Sequence, residues 1–269
     1  MLILRSSAVT NLSCVFVTVI FVFLVAEKAQ AQTDDNGHWY VGLFGGASLF
    51  SSGTPGFLDY SDLGDGTFSP ISSYESSLGT GFVLGGTLGR DFGNNWRGEA
   101  EISLSRHSFS TGFSLVERIF NPMSLETEAY PLSGTTNGAI TSVNLLGNLW
   151  YDFEEFGHVA PYIGGGAGFG VAFLDQDGSV VFTENPGPAP YHSFEDRHLR
   201  FHESQVGFAF QLGTGLRTQI MDNLHLDLGY RFRGLAGLDF ETEAYDSPGG
   251  NGTQNFYSHT VQIGFTASF

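Results

Sequence analysis

His202, Glu203 and Ser204 stand in a row, and the first and last are the residue types of acyl-transfer chemistry. Residues two apart on an extended strand point to the same face. His202 and Ser204 therefore share a face and have the makings of a base–nucleophile pair. Such a pair needs a carboxylate to orient the imidazole, and none stands at an obvious position for it in the sequence. The plain alternative is two polar residues at a strand end. His192, Glu195, His198, His202 and Glu203 crowd the same stretch, with His198 and His202 four apart. That spacing with carboxylates nearby is a metal-ligand pattern. Polar connecting segments gather the same residues without binding anything, and neither a metal nor a cofactor is expected. Gly164-Gly-Gly-Ala-Gly-Phe-Gly170 looks like a phosphate-binding loop only on the surface. That motif works between a strand and a helix, and here no helix follows. Six charged residues remain as candidates: Arg97, Glu99, Glu101, Arg217, Asp227 and Arg231. Their meaning depends on the elements that carry them.

Composition narrows those elements. The chain has 269 residues with 11 Lys and Arg against 28 Asp and Glu, a net charge of −17. Nucleic acid is excluded as a partner, because phosphate binding needs clustered cations. Gly at 37 and Phe at 26, with charged residues at only 14%, describe a chain that shows apolar surface to something other than water. Residues 1–31 read as a signal peptide. Arg5 gives the positive start, Val15 to Ala26 is an apolar run, and Ala29-Gln30-Ala31 places cleavage before Gln32. Cys14, the only cysteine, lies in that leader, so the mature chain has no thiol chemistry. No later stretch has the length of a membrane-spanning helix. A membrane-spanning domain then has to be a closed barrel, since only helices and barrels satisfy the backbone in lipid.

Eight segments have the length of tilted membrane strands: Trp39–Leu49, Thr80–Asp91, Trp96–His107, Ala139–Phe153, Val159–Phe173, Ser204–Gln219, Leu224–Gly234 and Ser258–Phe269. Short and long connections alternate strictly between them. The short ones carry turn residues, as in Gly93-Asn94-Asn95 and Met221-Asp222-Asn223. The long ones are rich in Gly, Ser, Pro and acid. Short periplasmic turns and long external loops are the pattern of outer-membrane barrels. The expected fold is all-β: one eight-stranded antiparallel up-and-down transmembrane β-barrel over residues 39–269, with a short periplasmic segment at 32–38.

Alternation assigns the faces. Leu224, Leu226, Leu228, Tyr230 and Phe232 share one parity; His225, Asp227, Gly229, Arg231 and Arg233 share the other. A soluble sandwich also alternates, so the aromatics have to decide. Trp39, Trp96, Tyr151 and Phe269 fall at periplasmic strand ends on the apolar parity, where an aromatic girdle belongs. The polar parity is crowded with glycine, as a narrow lumen requires. The six charged candidates share this inward parity. Glu99, Asp227 and Arg217 come to similar depth and are expected to meet across the lumen. A salt-bridge network that plugs the barrel is the expected arrangement, since buried charges persist when paired. A gate in a narrow pore is the alternative.

The opening His38-Trp39-Tyr40-Val41-Gly42-Leu43-Phe44-Gly45-Gly46 and the ending Val261-Gln-Ile-Gly-Phe-Thr-Ala-Ser-Phe269 resemble the terminal strands of small outer-membrane barrels, the opacity-type porin and OmpA-like family. The resemblance implies location in the outer membrane, contact with its lipid and lipopolysaccharide, and insertion by the barrel-assembly machinery. It implies that Val261, Ile263, Phe265 and Phe269 form the signal this machinery reads. The function expected is structural and interactive rather than enzymatic, with external loops meeting a host or surface protein; Arg106 and Arg118 near the rim either meet lipopolysaccharide phosphates or are solvated loop charges. Two alternatives stand beside it. One is a lipid-modifying enzyme similar to lipid A deacylases, which also carry a His-x-Ser on a barrel strand. The other is a narrow channel for a small solute.

Overall fold

The computed structural model describes residues 37–52, 73–121, 126–182, 197–240 and 252–269. Eight strands occupy them: β1 Trp39–Ser52, β2 Ser73–Asp91, β3 Trp96–Asn121, β4 Glu126–Asp152, β5 Val159–Phe182, β6 Arg197–Met221, β7 Leu224–Phe240 and β8 Gly252–Ser268. Each pairs antiparallel with its neighbours in sequence, and β8 pairs with β1 to close the barrel. At membrane height the ring leaves no sheet edge, which is what lipid demands. Farther out, β6 runs above Phe208 and β2 above Thr80 without a partner on β7 and β1 among the described residues.

The ladder registers fix the barrel's shape. One row of partners runs Trp96, Tyr151, Ile163, Thr214, Tyr230, Val261, Ala47, Phe82 and returns to β3 at Arg106. The circuit closes ten residues above its start, between Trp96 and Arg106. A stagger of that size in eight strands corresponds to a tilt of about 40° and a climb of about 2.5 Å per residue.

The periplasmic strand ends agree with the alternation to within two residues. The turns there are tight. Gly93 and Asn95 sit at φ of 73° and 70°, and the Asp91 carboxylate accepts the Gly93 N–H at 2.8 Å. Asp222 and Asn223 alone join β6 to β7. The Phe269 N–H donates to the Trp39 carbonyl at 2.8 Å and ties β8 to β1 at the periplasmic end.

The outer ends differ from the expectation. The β3–β4 hairpin was expected to stop at His107 and Ala139, yet the ladder continues to Asn121 opposite Glu126. β5 runs to Phe182 rather than Phe173, and β6 begins at Arg197 rather than Ser204. Much of what reads as long loop is strand. The physical reason is a reversal of phase. On β3 the outward residues Ile102 and Leu104 are apolar while inward Arg97, Glu101 and Ser103 are buried. Farther out, inward Phe109 is buried and outward Ser108 is exposed. The same reversal puts Ile140, Leu174, Leu235 and Phe256 inside the outer half of the other strands. A pattern that changes sign along one strand no longer scores as one strand.

Candidate functional site

Two layers fill the lumen. The lower layer is polar and built from side chains the alternation points inward. Arg97 on β3 meets the Asp152 carboxylate through both Nε and Nη2, the latter at 2.8 Å. Its Nη1 reaches Glu99 at 3.3 Å. Glu99 also accepts from the Tyr40 hydroxyl at 2.8 Å and from the Trp150 indole at 2.7 Å. Arg217 on β6 lies 3.8 Å from Asp227 on β7, and Thr266 donates to the same Asp227 at 2.9 Å. Higher up, Glu101 accepts from Arg233 at 2.9 Å, Gln211 at 2.7 Å and Asn148 at 3.0 Å. Arg233 extends the layer to Ser103 and Gln262.

The expected meeting of Glu99, Asp227 and Arg217 takes a different form. Arg217 finds Asp227 on the adjacent strand, while Glu99 is held by Arg97, Tyr40 and Trp150. Tyr40 links the two groups, with its hydroxyl on Glu99 and its ring beneath Arg217 at 5.4 Å. Arg231 departs from the expected salt-bridge network. Its guanidinium lies over the Trp150 ring at 4.2 Å and donates to the Tyr162 hydroxyl at 3.0 Å and to two backbone carbonyls. Aromatic faces attract a desolvated cation, so charge pairing is not the only way to keep one in the lumen.

Among the partners outside the candidate set are Asp152, Arg233, Gln211 and Asn148. Arg233 carried a signal, because it continues the inward parity of Asp227 and Arg231. Asp152 was hidden at a strand end. Gln211 and Asn148 are neutral and drew no attention as charges.

Glycine makes the layer possible. A Cβ at Gly166 would collide with the Asn148 amide oxygen, and one at Gly213 with the Arg231 side chain. The Gly164–Gly170 run is thus room for the neighbours' side chains, with no phosphate site.

Above the polar layer sits an apolar core. Phe109, Ile140, Leu174, Leu235, Leu238 and Phe256 pack across the lumen, with Phe50 against them. Two cavities of about 40 Å³ flank the Glu101–Arg233 bridge; Glu101 lines the lower and Arg233 the upper. Each has room for a few waters and nothing larger.

At the outer rim, His202 and Ser204 face outward, both exposed. The structure supplies an acid that the sequence did not reveal: Asp175 on β5 stands opposite His202 in the ladder and bonds its Nδ1. Cross-strand register, which single-strand reading lacks, makes that pair. Ser204 makes no side-chain hydrogen bond to His202 among the described residues. Among those residues no group of three or more His, Cys, Asp or Glu is close enough to hold a metal. His192 and Glu195 lie outside the described residues, as does the leader; the His198 side chain is likewise not described.

Trp39 and Trp96 face outward at the periplasmic ends, Tyr151 meets Trp96 edge-on at 5.1 Å, and Arg90 lies over Trp39 at 5.7 Å. Val261, Ile263 and Phe265 are outward and exposed on β8. Arg106 is outward too, bonded to Thr141 at 3.1 Å.

Comparison with known proteins points the same way. The family model for the outer membrane protein beta-barrel domain matches residues 17–269. No curated protein matches the chain. Among solved structures it is similar to Neisserial surface protein A, at 16% identity and TM-score 0.38, covering 86% of this chain and 97% of that one. It is similar to Ail, the attachment invasion locus protein of Yersinia pestis, at 13% identity and TM-score 0.38, covering 87% and 99%. It is also similar to OprG from Pseudomonas aeruginosa, at 13% identity and TM-score 0.39, covering 87% and 97%. With its closed eight-stranded ring and a family match over nearly its whole length, the chain belongs to the outer membrane protein beta-barrel domain family and is an outer-membrane protein.

Proposed function

We propose that the protein is an anchored scaffold whose working surface is its external end. The carrying observation is the double closure of the lumen, polar below and apolar above. Among the described residues a barrel filled twice over offers no path wide enough for a solute, which favours its outside as the part free to act. External segments on a rigid scaffold are the usual seat of recognition. Lipopolysaccharide phosphates near Arg106 and a host or neighbouring surface protein are the partners this reading names. Insertion by the assembly machinery through Val261, Ile263, Phe265 and Phe269 belongs to it, as does export through a leader cleaved before Gln32.

Planar-bilayer recording tests the central claim. The expected result is no unitary conductance from the purified barrel. A stable open channel in the unmodified protein would replace this reading with the narrow-pore alternative. N-terminal sequencing of the mature protein, expected to begin at Gln32, tests the leader.

A second reading is favoured by one observation, the Asp175–His202 bond. With Ser204 on the same face, it gives the residue types of a hydrolase acting on outer-leaflet lipid. Height weighs against it. His202 stands about 40 Å above the periplasmic ring at a climb of about 2.5 Å per residue. The apolar band is about 25 Å tall, so lipid esters lie well below. Release of acyl chains from labelled lipid A, abolished by Ser204→Ala, would establish the enzyme; no release leaves the scaffold.

A further inference from the structure

The lipid-facing wall of β6–β8 carries a polar pair where apolar side chains belong. Tyr230 and His259 both point outward, and the Tyr230 hydroxyl is hydrogen-bonded to His259 Nδ1. Their rings stack at 5.9 Å and 26°. Tyr230 is six residues above Leu224, the periplasmic start of β7, and His259 is eight residues above Ala267, the ladder partner of Leu224. At about 2.5 Å per residue, Tyr230 lies about 15 Å and His259 about 20 Å up the wall. His259 therefore sits in the outer part of an apolar band of about 25 Å. Its ring is close to the level at which outer-leaflet acyl chains meet their carbonyl linkages.

Proton counting gives the pair a need. A neutral tyrosine and a neutral histidine hold two donors, one O–H and one N–H. The bond between them uses one. Whichever tautomer His259 adopts, one donor remains, and among the described residues no protein acceptor takes it. On the flanking ladder positions Val261, Leu212 and Leu49 are exposed and apolar, and the outward Thr214 hydroxyl donates to the Tyr162 carbonyl and bonds neither ring. An unsatisfied donor facing hydrocarbon is costly, and ionisable residues in that position mark functional sites.

The flank of the pair is aromatic. Phe232 stands 5.4 Å from His259 and stacks on Tyr257 at 5.9 Å and 18°. Phe210 leans over Gly234, where any Cβ would strike its ring. Together these rings make an aromatic surface beside a single hydrogen-bond donor. Its chemistry matches one acyl chain and one carbonyl.

We infer that Tyr230 and His259 form a binding site for an outer-leaflet lipid, recognised through the carbonyl of an ester- or amide-linked acyl chain. The chain lies along Phe232 and Tyr257, and the remaining donor of the pair bonds the carbonyl oxygen.

The test compares the assembled full chain in nanodiscs of dimyristoylphosphatidylcholine with nanodiscs of its dialkyl ether analogue, which has the same headgroup and chain length but no carbonyl. Native mass spectrometry reads lipid retained on the released barrel. Retention of the ester lipid is expected to exceed that of the ether by about five-fold, the effect of one neutral hydrogen bond. Tyr230→Phe combined with His259→Phe is expected to erase the difference, since either change alone leaves one donor, while the barrel keeps its heat-modifiable gel migration. A second measurement needs no variant: the ring ¹⁵N–H resonance of His259 or the Tyr230 hydroxyl response should differ between the two lipids in the unmodified protein. Equal retention of both lipids overturns the site. So does a preference that survives the double variant, and so does a lipid-free dimer as the main species, which would give this wall to a second copy of the chain.

Discussion

Along β3 the outward face runs Trp96, Ile102, Leu104, then Arg106 and Ser108, while the inward face runs Arg97, Glu99, Glu101, then His107 and Phe109. The first part is a membrane barrel, apolar outside and polar inside. The second is built like a water-soluble barrel, with its apolar side chains turned in. One continuous ladder joins them. The backbone is indifferent to the change, because its hydrogen bonds are satisfied by the ring in either solvent. What reverses is the face that meets water. The two halves also close their lumens by different means. The lower uses an ion-pair and hydrogen-bond network around Glu101, in which Arg233 Nε and Gln211 Oε1 find no partner among the described residues. The upper uses hydrophobic burial, about 1.5–3 kcal/mol for each large side chain removed from water.

The largest effect is expected where the lower half is broken. Glu101→Ala leaves Arg233 buried without its carboxylate, which costs about 4 kcal/mol. Denaturant unfolding in lipid vesicles measures it. A loss below about 1 kcal/mol would mean that the network is not what closes the lower lumen. In the upper half the corresponding change is Leu174→Ala, at a fully buried position in the apolar core. It removes packing rather than a charge partner, at about 3 kcal/mol. Its effect should also be local. Hydrogen exchange is expected to quicken at the outer amides of β4 and β5 and to stay slow between Trp39 and Phe44 on β1. Uniform loss of protection would show that the two halves do not differ in this way.

How far the sequence discloses this division follows from the same physics. The membrane half is legible because lipid enforces a constant phase: Val261, Ile263 and Phe265 outward, Gln262 and Gly264 inward. Periplasmic ends are legible because turn residues and girdle aromatics coincide there, as at Asn95 and Trp96. The outer strands are hidden because their phase is inverted and their outward residues, such as Ser108 and Asn137, have the composition of loops. Site contacts divide similarly. Arg97 and Glu101 announce themselves as charges on an inward parity. Asp175 beside His202, or Asn148 beside Glu101, requires the register between strands, and a single strand does not contain it.

The smaller effects come from placing one residue on the same face of β3 at two heights. Ile102→Arg puts a cation on the lipid-facing wall, six residues above Trp96 and at an exposed position. About 2 kcal/mol of destabilisation is expected, somewhat under the midplane value because the side chain can reach toward the interface. Ser108→Arg puts the same cation on the same face six residues farther out, above the natural Arg106. There the solvent is water, the inward Phe109 is undisturbed, and an exposed surface change should stay within about 0.5 kcal/mol. Position, not residue type, sets the difference between the two variants. If Ser108→Arg costs as much as Ile102→Arg in vesicles, lipid reaches past Arg106, and the point where the phase reverses is not the edge of the membrane. If both are small, the wall at Ile102 is shielded from lipid by something else. A large loss for the first and none for the second places the outer membrane surface between Leu104 and Ser108, at the level where Arg106 already stands.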